Sequence, residues 1–362
     1  MYELVILGGG PAGTAAAITA ARSGARVLLL ERGRFPRHKV CGEFVSGESL
    51  ELLASLLGGR QPALLANALR ISRSRVFIDE RILAMPIAPE AASIARHDLD
   101  LMLWNAALSA GVDARQKVTV QSVKGTGPFH VELDEEKVEA RAVINASGRW
   151  SNLTHLPEGS GSQRWIGLKG HFAEVAPERS VDLYFFDGGY CGVSPVDLNG
   201  GQPGHRVNVC AMVRADVASS LPDVWTLSSA LRARAGSWQP LSTPISTSPL
   251  IFRQPQADRD GVLMAGDAAG FVDPFVGDGI SLALRSGVLA ATCVIPFFSG
   301  ELSLEAATHN YRRAYQDWLG PIFRSSARIR RVIGWPRAIR LPLLSVLEKT
   351  PSLTRYVVTR TR

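Results

Sequence analysis

The first 31 residues of this 362-residue chain constrain its fold more than any other stretch. An apolar run at 4–7 is followed by Gly8-Gly9-Gly10-Pro11-Ala12-Gly13, an Ala-rich segment, and a second apolar run that ends at Glu31. A strand, a glycine-rich turn, a helix, a strand and an acid in this order form the dinucleotide-binding fingerprint. The glycines allow a tight turn and a close approach of a pyrophosphate, whose oxygens the helix N-terminus can bind. The stretch therefore predicts a Rossmann-type domain that holds the ADP half of a cofactor, with Glu31 accepting hydrogen bonds from a ribose.

Length and composition are typical of a globular protein with two connected domains. Of the residues, 46% are hydrophobic and 20% are charged. A predicted strand begins almost at the first residue, so we expect no signal or transit peptide. No apolar run reaches the roughly 18 residues of a membrane span. The 4 cysteines have no metal-like spacing, and a disulfide framework is not expected at this size. We therefore expect a cytoplasmic protein.

The net charge of +7 is concentrated at the C-terminal end of the chain. Residues 323–362 hold ten Lys or Arg residues and one acid, Glu348. The tail thus carries +9 and the main body is slightly acidic, at about −2, so we expect no nucleic-acid partner. Within the tail, 329–347 interleaves arginines with apolar residues and contains Trp335. This pattern suits peripheral contact with an anionic membrane surface, and it also suits docking on the acidic main body.

Between its two ends the chain alternates helical and strand-rich segments. We predict helices over 47–57, 99–110 and 221–235, the second of them with Asp98 as its N-cap. Residues 165–213 are typical of a series of strands separated by glycine turns.

A second glycine-rich stretch follows a buried strand predicted at 261–265. An acid at the end of such a strand, here Asp267 after Gly266, can accept hydrogen bonds from a polyol. The backbone N–H groups of 277–280 open a long predicted helix and can face a phosphate or the edge of a flavin ring. Asp267 is also suited to a plain helix-capping role.

Taken together, these motifs resemble those of the FAD-dependent oxidoreductases that include geranylgeranyl reductases, flavin-dependent halogenases and aromatic-ring hydroxylases. The resemblance covers about residues 1–320 and also includes Arg96 and the segment 274–280. It implies an α/β fold with a Rossmann-type FAD-binding domain, an inserted strand-rich substrate domain and a helical C-terminus. The implied boundaries are 1–67, 95–160 and 255–305 for the FAD-binding domain, 68–94 and 161–254 for the substrate domain, and 306–362 for the basic C-terminal region.

The resemblance also implies which residues contact FAD. Glu31 holds the adenosine ribose, the backbone of Val118 meets the adenine, and Asp267 binds the ribityl or pyrophosphate part. Arg96 lies near the phosphates or the ribityl chain, unless it is only a solvated charge at a helix start. The full set of implied cofactor-binding residues is Gly8, Gly10, Pro11, Ala12, Gly13, Glu31, Arg32, Cys41, Gly42, Arg96, Val118, Gly148, Gly266, Asp267, Pro274, Gly277, Gly279 and Ile280.

The positions at which this chain departs from the family motifs indicate which branch of the family it resembles most. Ring hydroxylases carry an Asp-Gly pair where this chain has Ser147-Gly148, which puts direct docking of NAD(P)H in doubt. A separate flavin reductase could then supply the electrons. Halogenases use a lysine on an early strand of the substrate region, but residues 60–100 contain none, and their tryptophan motif is missing from 189–195. Halogenation is therefore not expected. The chain resembles the geranylgeranyl reductase branch best, at Cys41-Gly42 and in the strand from Tyr190 to Pro195.

The geranylgeranyl reductase resemblance implies reduction of C=C bonds in a hydrophobic, isoprenoid- or polyketide-like substrate by reduced flavin. Such a reaction needs a proton donor and a dry apolar pocket. Cys41 and Tyr190 are the candidate catalytic residues, with Cys191 and His171 as further groups that could face the same pocket. Each could instead be a packing residue. A flavin-dependent monooxygenase that hydroxylates an aromatic or polyketide substrate stays open as an alternative, as does a non-catalytic flavin-binding accessory protein.

Overall fold

The computed structural model describes residues 1–59, 63–149, 153, 164–197, 205–247, 249–250, 252, 254–271, 275, 277–333, 335, 339 and 342. The predicted cofactor contact at Pro274 lies outside the described residues. The same holds for most of the basic tail after residue 333, so its contact with a membrane surface stays a prediction.

The described chain contains strands of two sheets and helices that cover them. The strands are β1 (Tyr2–Leu7), β2 (Val27–Glu31), β3 (Phe44–Val45), β4 (Leu69–Ile78), β5 (Arg81–Ser93), β6 (Asp113–Gln116), β7 (Val120–Lys124), β8 (Phe129–Leu133), β9 (Lys137–Asn145), β10 (Trp165–Ala173), β11 (Ser180–Phe186), β12 (Gly189–Pro195), β13 (Arg206–Arg214), β14 (Gln239–Pro240), β15 (Ile245–Ser246), β16 (Asp258–Arg259) and β17 (Val262–Met264). The helices are α1 (Pro11–Arg22), α2 (Gly47–Leu56), α3 (Ala63–Ala66), α4 (Arg96–Ser109), α5 (Leu221–Thr226), α6 (Ser229–Ala235), α7 (Gly279–Phe298), α8 (Leu304–Trp318) and α9 (Gly320–Ile333), with a 3₁₀ turn at Gly266–Ala268.

The first sheet is the Rossmann-type sheet that the sequence predicts. Its parallel strands follow the order β17-β9-β1-β2-β6, and β16 and β8 add antiparallel at its sides. The strands β1 and β2 are apolar runs because both faces of the sheet are covered. Strand β6 was not predicted, since its four residues, Asp113–Gln116, are half-buried and show no apolar alternation. The α/β fold class is confirmed.

The second sheet is mostly antiparallel and has two different faces. Its order is β14-β10-β13-β12-β11-β4-β5-β3, with β15 beside β10, and only the described pair β11–β4 runs parallel. One face packs against α5 and α6 through an apolar cluster that includes Leu168, Val209 and Leu221. The opposite face is turned toward the loop between β2 and β3. Strand β3 belongs to this sheet, although the resemblance assigned its residues to the FAD-binding domain.

Two helix predictions need correction at their ends. Helix α4 begins at Arg96, and Asp98 lies in its first turn rather than at the N-cap. The reason is long-range, because the Glu43 carboxylate accepts a hydrogen bond from the Arg96 N–H at 2.9 Å and satisfies the helix end. The predicted helix 221–235 is two helices, since the Ser228 hydroxyl caps a new start by accepting from Leu231 N–H at 3.4 Å.

Helix α7 is a core helix despite its apolar composition. By length and composition its 20 residues could cross a membrane, but half of the most apolar window is buried inside the protein. It packs closely on α1, because a Cβ atom at Gly287 would meet the backbone carbonyl of Ala12. This contact packs the middle of α7 against the first turn of α1.

Candidate active site

The carboxyl ends of three neighbouring parallel strands converge on one cleft. Strand β1 ends at the glycine turn, β9 ends before Ser147-Gly148, and β17 ends before Gly266-Asp267. Gly8 adopts a φ of +101°, and a side chain there would collide with the carbonyl of Ala146 at the end of β9. The glycine is therefore required both for the turn and for the close approach of the two strands.

Glycines around this cleft leave room for a bound group. A Cβ atom added at Gly10, Gly42, Gly148 or Gly279 would find no atom within 4 Å. Helices α1 and α7 both begin at the cleft, and neither has a side-chain hydrogen bond at its N-cap. Free N–H groups at two helix starts beside an open, glycine-lined space suit an anionic cofactor such as a dinucleotide. The residues present therefore fit FAD.

Glu31 ends β2 as predicted and is held firmly at the cleft. Its carboxylate accepts hydrogen bonds from Gly9 N–H at 2.8 Å and Gly33 N–H at 2.7 Å, and it pairs with Arg37 at 2.7 Å. Burial would raise the pKa of Glu31, but Arg37 and the two backbone donors lower it below its ordinary value. Val118 lies beside it, since its N–H donates to the Glu31 carbonyl at 3.1 Å.

Four more of the predicted cofactor residues lie at the surface or at the ends of β17 and α7. Arg32 is exposed next to Glu31. Asp267 forms an ion pair with Arg149, with Nε and Oδ2 3.1 Å apart, and Gly266 N–H donates to the Ser286 hydroxyl at 2.9 Å. Ile280 is buried at the start of α7.

Cys41 lies in the loop between β2 and β3, against the second sheet. Its carbonyl accepts from Asn208 Nδ2 at 3.1 Å, and the Gly42 carbonyl accepts from the Ser194 hydroxyl at 3.4 Å. The Arg96 guanidinium contacts the Cys41 sulfur and donates twice to Asp100, at 2.6 and 2.7 Å. Arg96 is therefore a buried, paired side chain at the Cys41 loop, and its predicted contact with FAD stays a prediction.

A buried ionic network lies directly beneath this loop. The Glu43 carboxylate binds Lys169 Nζ through Oε1 and His171 Nε2 through Oε2, the latter at 2.8 Å. The side chains of all three are at most 2% exposed. Burial alone would raise the pKa of Glu43, but Lys169 and His171 bring it down to about 2. The ionised carboxylate is therefore the stable form of Glu43 across the neutral range.

Two further histidines connect this network with the solvent. The ring of His38 lies 5.5 Å from that of His171 and 5.0 Å from that of His97. His97 is 36% exposed and its Nδ1 lies 2.8 Å from the Asp98 carboxylate. Burial and the nearby charges of His171 and Lys169 lower the pKa of His38. The three imidazole rings thus form a row that runs from the partly exposed His97 to the buried His171 beside Glu43.

The remaining part of the same sheet face is apolar. Tyr190, Met212 and Leu250 are buried here. Partly buried side chains packed around them are Trp165, Leu183, Phe185, Phe252, Phe271 and Phe275. On β13, Cys210 stands between Asn208, which contacts the Cys41 loop, and Met212. The face therefore has a polar half and an apolar half that meet near Cys41.

Of the two roles left open for Cys191, a pocket residue or a packing residue, the structure shows the packing role. Tyr190 and Cys191 are consecutive on β12, so their side chains point to opposite faces of the sheet. Tyr190 packs against Phe275 with ring centroids 6.0 Å apart, whereas Cys191 is fully buried in the cluster against α5 and α6. Burial raises the pKa of the Cys191 thiol strongly, and the thiol is a packing group.

Sequence reasoning missed Glu43, Lys169 and Arg149. A signal was present for Lys169, because it alternates with His171 in the otherwise apolar strand β10, and alternate residues share a face. Glu43 follows Cys41-Gly42 directly, but nothing local showed that it adopts a φ of +57° and turns beneath the loop. Among the described residues no cluster of His, Cys, Asp and Glu could hold a metal ion.

We expect acid to destabilise the fold through Glu43. Its pKa of about 2 in the folded protein lies below the ordinary 4.5, so its ionised form stabilises the fold above 4.5. This contribution to the free energy of unfolding, about 3 kcal/mol, is lost as the pH falls from 4.5 through the folded-state pKa of Glu43. Urea unfolding between about pH 6 and pH 3 measures the effect. Glu43→Gln should flatten the pH dependence, and an unchanged slope in that variant would contradict the assignment.

Fold and cleft together are those of a protein that binds a dinucleotide cofactor. The family model for pyridine nucleotide-disulphide oxidoreductases matches residues 2–175. The 1H-pyrrole-2-carbonyl-(peptidyl-carrier protein) brominase of Pseudoalteromonas luteoviolacea is 24% identical over 346 residues, covering 88% of this chain and 82% of the relative. Digeranylgeranylglycerophospholipid reductase 1 of Methanopyrus kandleri is 27% identical over 386 residues, covering 96% of this chain and 92% of the relative.

Solved structures share the whole fold. A flavin-dependent brominase aligns with a TM-score of 0.77 at 21% identity, over 99% of this chain and 93% of its own. A geranylgeranyl bacteriochlorophyll reductase-like protein from Thermoplasma acidophilum aligns with a TM-score of 0.75 at 19% identity, over 99% and 95%. The chain therefore shares the fold of these flavoproteins, and the family model and the curated relatives indicate an FAD-dependent oxidoreductase.

Proposed function

We propose that the protein reduces C=C bonds of a hydrophobic, isoprenoid- or polyketide-like substrate with reduced FAD. The observation that carries this proposal is the divided face of the second sheet, where proton-carrying side chains meet an apolar aromatic surface at Cys41. Adding hydrogen across a C=C bond needs a hydride, a proton and exclusion of water. Bound FAD supplies the hydride. The residues of this chain supply the proton and the dry surface.

Residues of the cleft would hold FAD in the predicted way. The N-terminus of α1 at Gly10 would bind the pyrophosphate, and Glu31 would bind the adenosine ribose. Asp267 would bind the ribityl part, and the start of α7 at Gly279 would lie along the ring. The open space at both glycines supports this assignment.

Cys41 is the proposed proton donor. Its sulfur accepts the Glu43 N–H at 3.4 Å and contacts the Arg96 guanidinium, so the thiol is oriented from two sides. Behind it, His171 and Lys169 hold protons on the Glu43 carboxylate, and His38 and His97 lead to the solvent. The buried hydroxyl of Tyr190, in the apolar half, is the second candidate donor.

The electron donor is proposed to be NAD(P)H acting through a separate flavin reductase. Ring hydroxylases carry an acid at the position of Ser147, and here the Ser147 hydroxyl hydrogen-bonds the Asn145 side chain instead. This arrangement offers no carboxylate for docking of NAD(P)H at the end of β9.

The aromatic lining of the apolar half supports a second candidate function. A cluster with the rings of Tyr190, Phe185 and Phe275 in mutual contact suits a flat aromatic substrate. Flavin-dependent hydroxylation of an aromatic or polyketide compound is therefore the alternative. Halogenation is not favoured, because Lys169 on this face is buried and engaged by Glu43.

Anaerobic mixing tests the reductase proposal. The FAD-loaded protein is reduced with light and mixed, without oxygen, with geranylgeraniol or with its fully saturated analogue. We expect geranylgeraniol to reoxidise the flavin, which absorbance reports, and the saturated analogue to leave it reduced. Oxygen consumption coupled to an aromatic substrate, with no response to alkenes, would overturn the reductase and support the hydroxylase.

Cys41→Ser should slow this alkene-dependent reoxidation by a factor of about 10² or more, because a serine hydroxyl is a far weaker acid than a thiol. The control is Cys293→Ser on α7, which should react at the wild-type rate. FAD content and melting temperature of both variants are measured alongside. An unchanged rate in Cys41→Ser would exclude Cys41 as the donor and leave Tyr190.

A further inference from the structure

Two arginines lie against an aromatic pair at the edge of the apolar half. Arg149 lies over the ring of Phe271 at 3.8 Å, and Arg330 of α9 lies over the ring of Phe252 at 4.4 Å. The two rings are 5.4 Å apart. Arg149 follows the end of β9, so this arrangement brings together the cleft, the substrate face and the C-terminal helices.

The Arg149 guanidinium is only partly satisfied. Its Nε pairs with Asp267 at 3.1 Å, and its side chain is 17% exposed. One terminal nitrogen, Nη1, is buried and has no hydrogen-bond partner in the described structure. A buried N–H donor without an acceptor is unfavourable, and stacking on Phe271 leaves the edge of the guanidinium available to an oxygen.

We propose that Arg149 and Arg330 bind an anionic head group, a carboxylate or a phosphate monoester, on the hydrophobic substrate. The aromatic cluster around Tyr190 then holds the apolar body. Stacked arginines suit this role, because the flat guanidinium face covers a ring while its in-plane donors bind two oxygens. The proposal rests on the proposed function, since it assumes that the apolar half receives the substrate.

Charges in this region favour an anion. Asp267 is the acid paired with Arg149, so the pair is neutral together. The sequence of α9 contains four arginines, at 324, 328, 330 and 331, and no acid. An acid-headed amphiphile therefore gains both ionic and apolar contacts, whereas a neutral alcohol of the same length gains the apolar contacts alone.

Binding of saturated probes tests the proposal on the FAD-loaded protein. Decanoate, decyl phosphate, 1-decanol and inorganic phosphate are titrated in turn, and the change in flavin absorbance or fluorescence reports occupancy. We expect decanoate or decyl phosphate to bind at least tenfold more tightly than 1-decanol, and phosphate alone to bind weakly. Arg149→Gln and Arg330→Gln should remove that preference and leave 1-decanol binding unchanged, whereas Arg328→Gln, exposed on the same helix, should keep it.

Equal affinity for decanoate and 1-decanol would overturn the proposal. So would loss of bound FAD from Arg149→Gln in the absence of any probe, because Arg149 would then be a cofactor contact. Tight binding of inorganic phosphate with no gain from the decyl chain would show a plain anion site, which also contradicts a head-group role. None of these probes has a C=C bond, so the outcome is independent of whether geranylgeraniol reoxidises the flavin.

Discussion

Lys169→Met is expected to lower the free energy of unfolding by about 3–5 kcal/mol, because it leaves the buried Glu43 carboxylate without its main counter-charge. Lys169 and Glu43 are at most 2% exposed, and water cannot replace the missing ammonium. The Arg96 N–H and His171 still bind the Glu43 carboxylate, so the variant should still fold, although Glu43 will titrate differently. Urea denaturation at neutral pH gives the value.

A surface lysine provides the matched control. Lys124 pairs with Glu132 at 3.0 Å on a strand edge, but its side chain is 65% exposed. Lys124→Met should therefore cost no more than about 1 kcal/mol. The double variant Glu43→Gln/Lys169→Met should recover part of the loss, because it removes both buried charges. Similar losses for Lys124→Met and Lys169→Met would show that the network contributes no more than a surface pair.

Two glycine variants in the turn between β1 and α1 are expected to have large but different effects on folding and on FAD binding. Gly13→Ala places a Cβ atom on the carbonyl oxygen of Gly8, and backbone cannot move away without separating α1 from β1. We expect a loss of more than about 3 kcal/mol and no FAD binding. Gly10→Ala meets no atom within 4 Å, and at φ −74° alanine is unstrained.

Gly10→Ala should therefore fold normally and yet bind FAD poorly. Its apo form should lose no more than about 1 kcal/mol, the typical cost of a poor N-cap. The FAD dissociation constant should rise at least tenfold, about 1.4 kcal/mol, because the methyl group fills space reserved for the pyrophosphate. Fluorescence titration of the apo protein with FAD measures this dissociation constant. Normal FAD affinity in Gly10→Ala would contradict the placement of the cofactor at this turn.

The features predicted correctly from the sequence are those with a local cause. The glycine turn, α1 and β2 are contiguous, so their order alone defined the parallel sheet and the place of Glu31. Residues 165–213 alternate clearly enough to predict strands. The start of α4 was missed because a side chain from another element, Glu43, caps it.

The polar half of the site could not be predicted because it depends on distant pairings. Glu43 and Lys169 are 126 positions apart in the chain, and only the register of β10 against the Cys41 loop brings them together. The opposite orientations of Tyr190 and Cys191 depend in the same way on which face of β12 packs against α5 and α6. Arg149 could not be predicted because its contacts, Asp267 and Phe271, lie far along the chain.

The mass of the product formed by the FAD-loaded protein distinguishes a reductase from a monooxygenase. Turnover is run with a flavin reductase, NADH, isotopically labelled oxygen and an alkene that reoxidises the flavin anaerobically. We expect a product heavier by two hydrogen atoms, one of them from solvent, with no labelled oxygen. A product that has gained one labelled oxygen atom would contradict it and identify the protein as a monooxygenase.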